Sequence, residues 1–229
     1  MSTRGLLDSL SHVLLLSSAS PATVQSAAAT LYSLLVVDDY RPIIGAKRDI
    51  VYALINIIRK ENSPPRSIKD ALKALFGISL YPLNRTTMIE LGVVPALFSL
   101  VVNDSRVGVV EDSTAVIAQV AGCDESWGAF QKVSGIGVLV DLLDHETGSS
   151  NRARENSVAG LLSLVLSGGH KVVANVQGMG SRALDGIADV AENGSSKGKN
   201  KANALLNILN GGSGGFRGPR FDVPQVHSS

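Results

Sequence analysis

One spacing constrains this chain more than any other feature of it. Apolar side chains recur at Leu31, Leu75, Ile117, Leu161 and Leu205, in steps of 44, 42, 44 and 44 residues. Each sits in a local pattern, with a small residue four positions before it and another apolar residue three after it. The copies are Ala27/Leu31/Leu34, Ala71/Leu75/Ile78, Ser113/Ile117/Val120 and Ser157/Leu161/Leu164, with a weaker fifth in which Lys201 stands before Leu205 and Ile208. Such intervals place three residues on one face of an α-helix. A second series keeps the same period: Leu10/Val13, Leu54/Ile57, Leu97/Leu100, Leu139/Leu142 and Leu184/Ile187, in steps of 44, 43, 42 and 45. Two unrelated helical patterns in step across five copies predict a superhelical stack of helical repeats, in which each unit buries its apolar face only against its neighbours.

Composition agrees with such a stack and narrows the function. Hydrophobic residues make up 45% of the 229 and aromatics only 4%, so the core must be built from Leu, Val, Ile and Ala. With 21 basic and 20 acidic residues the net charge is +1, which leaves no broad field to hold nucleic acid or an anionic membrane. The lone Cys123 has no partner for an internal disulfide, which favours a reducing compartment and a cytoplasmic and/or nuclear location. Asp8 and His12 interrupt the N-terminal apolar stretch, so it reads as a helix of the array and not as a secretory signal. No run reaches the roughly 18 apolar residues of a membrane span.

Taken in order, the chain predicts helices over residues 5–17 and 21–37, then a first complete unit with helices at 38–44, 48–60 and 67–80, broken by Gly45 and by Ser63-Pro64-Pro65. The second unit spans 82–91, 94–102 and 109–121, with Gly92 in the place of Gly45; the third spans 125–133, 139–143 and 150–166, with an exposed polar turn at 145–150. The fourth has helices at 170–176 and 182–191, a flexible linker over 193–198, and a last helix to about residue 210. Residues 211–229 are rich in Gly and Pro, lack periodicity and are expected to be a disordered tail to a repeat domain of residues 1–210.

A short helix, a glycine turn, an apolar helix and a longer third helix opening on Glu-Asn-Ser-Val-Ala resemble the armadillo repeat. IELGVVPALFSLV (89–101) and RENSVAGLLSLVL (154–166) carry the likeness best, and KANALLNIL (201–209) is similar to the closing repeat of plant U-box armadillo proteins. The resemblance implies an all-α right-handed superhelix, an α-solenoid of about four complete repeats and a partial N-terminal one. In those plant proteins, which are E3 ubiquitin ligases, a U-box recruits the ubiquitin-charged conjugating enzyme, and the armadillo array binds substrates or receptor kinases. Here Met1 already stands within a repeat, so the expectation is a non-catalytic interaction module whose partner is a protein. The rival expectation is a component of an active ligase, with the U-box supplied by a longer isoform or a partner.

The resemblance also implies which side chains face the groove. In armadillo arrays the third helix of each unit lines the concave surface, and nuclear import adaptors present Trp and Asn two and six positions after the small anchor residue. The corresponding pairs here are Ala29/Ser33, Lys73/Gly77, Ala115/Gln119, Ala159/Ser163 and Asn203/Asn207, of which only Asn207 keeps the expected amide. An import-type reading of basic cargo therefore lacks its residues. Lys69 with Lys73, then Glu111 with Gln119, then Glu155, then Asn203 with Asn207 are the candidate partner-binding residues. They suit a partner that is acidic toward the first half and basic toward the second, against the alternative of ordinary solvated helix faces. Trp127 is either a binding anchor or a packed neighbour of Phe130, and Lys197, Lys199 and Lys201 form a solvated basic cluster.

Catalysis finds little support. His12, His145, His170 and His227 are scattered, none at metal-ligand spacing, so no metal or cofactor is expected. Cys123 lies beside Asp124 and Glu125, which would raise its thiol pKa and argue against a nucleophile.

Overall fold

The computed structural model describes residues 3–16 and 18–211; the expected tail beyond 211 lies outside them. Fourteen α-helices are present among the described residues, with no strand. The chain opens with a helix pair, α1 (Thr3–Leu15) and α2 (Pro21–Leu34). Four three-helix units follow. They are α3 (Tyr40–Gly45), α4 (Arg48–Arg59) and α5 (Pro65–Ser79); α6 (Asn84–Glu90), α7 (Val93–Asn103) and α8 (Val107–Val120); α9 (Ser126–Lys132), α10 (Gly135–Asp141) and α11 (Asn151–Gly168); and α12 (His170–Gln177), α13 (Ser181–Asn193) and α14 (Ser196–Leu209).

The long third helices α2, α5, α8, α11 and α14 stack on one another as one layer, and α1, α4, α7, α10 and α13 stack as a second. The short α3, α6, α9 and α12 pack against both layers. This is an all-α solenoid, and its core is the period read from the sequence: Leu31, Leu75, Ile117, Leu161 and Leu205 are all 0% exposed. Burying each such side chain contributes about 1.5–3 kcal/mol.

The terminal copies depart from the pattern. In α14 Lys201 is exposed, and Gly198 and Ala202 are the small residues that are buried. At the ends of α2 and α14 the buried partner of the central leucine is four residues on, the C-cap Leu35 and Leu209, while Leu34 and Ile208 are only partly covered.

Helix starts explain why the long helices begin where they do. Ser20, Ser150 and Ser195 are N-caps whose side chains accept from Thr23 N, Ala153 N and Gly198 N, each worth about 1 kcal/mol. Pro65 opens α5, and the Asp104 carboxylate accepts from Arg106 N just before α8. The segment 193–198, expected as a linker, is mostly helix, because the Ser195 cap starts α14 at Ser196.

Two glycine expectations change. Gly92 has φ +83° and precedes α7 as Lys47 precedes α4, so it is not the counterpart of Gly45, which ends α3. Gly45 is required for another reason: a Cβ there would sit 2.1 Å from the Asn84 side chain. The Asn84 amide donates to Arg41 O and Ile78 O, both at 2.9 Å, and so ties the first unit to the second. Helix α10 starts at Gly135, four residues before the expected start, because that glycine packs tightly under Phe98 and Phe130, whose rings meet edge to face at 5.3 Å. The polar turn at 145–150 contains a 3₁₀ turn, His145–Thr147, closed by the Asp144 carboxylate accepting from Glu146 N.

Candidate functional site

The exposed face of the long-helix layer is hollowed where four of its helices meet. Tyr32 of α2, Lys69, Leu72, Lys73 and Phe76 of α5, Gly108, Glu111, Asp112 and Ala115 of α8, and Arg152 of α11 line one hollow of about 350 Å³. Four successive helices can share one hollow only where the layer curves inward. Of the candidate residues, the structure brings Lys69, Lys73 and Glu111 together here.

Helix geometry sets the lining. Lys69 and Lys73 are one turn apart on α5, and the Lys73 ammonium lies 5.6 Å from the centre of the Tyr32 ring, a cation–π contact. A Cβ on Gly108 would come within 3.1 Å of the Lys69 Nζ, so the glycine leaves that ammonium room to lie across α8. Burial pushes the Asp112 carboxyl up from its ordinary value, aided by Glu111 and opposed by Lys69, Arg152 and Lys73.

The other candidates are placed differently. Glu111 Oε1 accepts from the Ser150 hydroxyl at 2.7 Å, and Glu155 accepts from Ser195 N at 2.6 Å and from Ser195 Oγ at 2.7 Å. Both glutamates therefore hold the N-cap serine of the next long helix. Gln119 accepts from Arg85 Nη2 at 3.0 Å, and Arg85 also donates to Ser79 O at the end of α5. Asn203 and Asn207 are exposed on α14, at the far end of the layer, where the Asn203 amide donates to Lys199 O. Gly77, expected to face the groove, is buried instead: a Cβ there would meet the Leu35 Cβ of the preceding unit at 2.8 Å.

Tyr32, Phe76, Asp112 and Arg152 are lining residues that sequence reasoning missed. Asp112 had a signal: the residue just before the small anchor is polar in every copy, at Ser26, Asp70, Asp112, Asn156 and Asn200. Trp127 is partly buried against the core beside Phe130. The Cys123 thiol is pushed up by burial and by its hydrogen bond to Glu125, the direction anticipated for a non-nucleophilic cysteine. No group of three metal-ligating side chains occurs among the described residues, and no single helix there is long and apolar enough to cross a membrane.

Comparison with known proteins follows the same lines. The family model of the plant U-box protein ARM repeat region matches residues 2–180. The chain is similar to U-box domain-containing protein 18 of Arabidopsis thaliana, 27% identical over 80% of this chain and 26% of that protein. It is also similar to U-box domain-containing protein 16 of Arabidopsis thaliana, 29% identical over 91% of this chain and 29% of that protein. The chain thus spans between a quarter and a third of the length of these relatives. Among solved structures, a designed armadillo repeat protein superposes with a TM-score of 0.77 at 21% identity, over 90% of this chain and 85% of that one. A second designed armadillo repeat protein, in complex with the peptide (KR)4, gives a TM-score of 0.57 at 19% identity, over 90% of this chain and 92% of that one. The armadillo-repeats-only protein ARO from Plasmodium falciparum gives 0.65 at 19% identity, over 82% of this chain and 80% of that one.

Proposed function

The chain belongs to the plant U-box protein ARM repeat family, and from that premise we propose that it is a non-catalytic module that holds an extended segment of a protein partner along the concave face of its long helices. The observation that carries this reading is the hollow shared by α2, α5, α8 and α11, in which side chains from four repeats converge on one place. Such a surface suits a partner that runs across the repeats, as a groove of stacked units does. The partner of such a module would be a ligation substrate or a receptor kinase, met in the cytoplasm or the nucleus.

Plugging the groove tests the reading. Ala115 lines the hollow, whereas Ala159, its counterpart on α11 and likewise expected to face the groove, is buried; Ala115→Trp should abolish capture of partners that wild type retains. Arg48→Glu, on the second layer and away from the groove, should leave capture intact. Equal capture by all three proteins would place binding elsewhere.

A second reading is favoured by the U-box relatives, of which this chain spans only a part: the array serves as a component of an active ubiquitin ligase. Incubation with activating enzyme, conjugating enzyme and ubiquitin separates the two. Self-ubiquitination by the isolated chain would overturn the non-catalytic assignment.

A further inference from the structure

The charges in the hollow do not balance. Lys69, Lys73 and Arg152 stand against Glu111 and Asp112, and the glutamate is engaged by Ser150 with Arg152 3.8 Å away. Among the described residues the Lys69 and Lys73 ammoniums make no hydrogen bond and no ion pair; the contact of Lys73 is the Tyr32 ring. Gly108 leaves the Lys69 head unobstructed, and Tyr32, Phe76 and Leu72 supply an apolar wall beside the two cations. Farther along the groove the one carboxylate on which a basic partner was expected to dock, Glu155, is already used to cap α14.

Resting on the groove reading above, we propose that this hollow is the specificity site of the groove and takes an aspartate or glutamate of the bound segment. Its carboxylate lies against Lys69 and Lys73, and an adjacent apolar side chain packs on Tyr32 and Phe76. A single carboxylate closes the one excess positive charge of the lining. A phosphate dianion would overshoot it and would meet the Asp112 carboxylate in the same small space, so a carboxylate is the better fit. Opposite charges arranged this way set which partner binds more than how tightly it binds.

The test uses the full chain and a display library of random linear peptides as probe. Peptides enriched on wild type should carry an acidic residue next to an apolar one. Changing that residue to its amide should weaken binding about tenfold or more. The double variant Lys69→Glu/Lys73→Glu should lose the peptide by at least as much, and should regain affinity when the peptide's acid is changed to lysine. Ala115→Trp should abolish binding. Enriched peptides that are blocked by Ala115→Trp but are basic, or that ignore the double charge reversal, would overturn the acidic assignment and leave the groove in place. Peptides indifferent to Ala115→Trp, or a library that yields none, would sink both. The two lysines interact only with the Tyr32 ring and, through space, with the Asp112 carboxylate, so an unchanged far-ultraviolet circular dichroism spectrum confirms that the variant is folded.

Discussion

At the scale of single residues, what the sequence shows most plainly is the core, and what it shows least plainly is the polar chemistry that the core positions. Ile117 is fully buried between neighbouring long helices, so Ile117→Ala should lower stability by about 2–5 kcal/mol, read as a fall in the midpoint of urea unfolding. A second residue-scale expectation concerns Arg154, which is 3% exposed and donates to Leu143 O at 3.0 Å and to the Asp189 carboxylate. Burial alone would raise the Asp189 pKa, but hydrogen bonds from His145, Arg154 and Asn193, with the arginine charge, hold it down at about 2. A carboxyl whose folded pKa lies below its unfolded value stabilises above the unfolded value and ceases to do so as pH falls through the folded one. Asp189→Asn should therefore be less stable than wild type at pH 7, by about 3 kcal/mol because it strands a buried arginine. The two unfolding midpoints should converge as the pH drops from about 4 toward 2. None of this was legible beforehand, since Arg154 and Asp189 are 35 residues apart and nothing in their local pattern pairs them.

At the scale of the helix, period and punctuation gave the element order, because aliphatic spacing, prolines and N-cap serines act within one turn. Errors arose where a helix start depends on a distant partner. The segment Gly135-Ile136-Gly137 reads as a turn by itself and becomes the start of α10 once Phe98 of α7 closes over Gly135. Residues 193–198 read as a linker until Glu155, 40 residues earlier, is seen gripping the Ser195 cap. That grip predicts a local effect. Glu155→Ala should raise amide hydrogen exchange across α14 well before the rest of the solenoid opens, as repeat arrays fray from their ends. Uniform loss of protection along the chain would show that the contact has no local role.

At the scale of the whole molecule, two layers of stacked helices make an elongated body. Small-angle scattering from a chain ending at Gly211 should give a radius of gyration above the ~17 Å of a compact globule of that length. The groove was legible in outline, since Lys69, Lys73 and Glu111 do converge. Its charge balance was not, because only the folded chain reveals that Glu111 and Glu155 are occupied by serines of the next unit. The seams between units are also unequal. Glu111 with Asn156 fastens α8 to α11, and Glu155 fastens α11 to α14, whereas α5 and α8 are joined only indirectly among the described residues, through Arg85 of α6 donating to Ser79 O and to Gln119. The array is thus a spring of graded stiffness, taut in its second half and compliant at the seam that runs beneath Lys69 and Gly108. A small change of pitch there, pivoting on the Arg85 bridge, would widen or narrow the cradle, letting one receptor surface conform to segments of different girth.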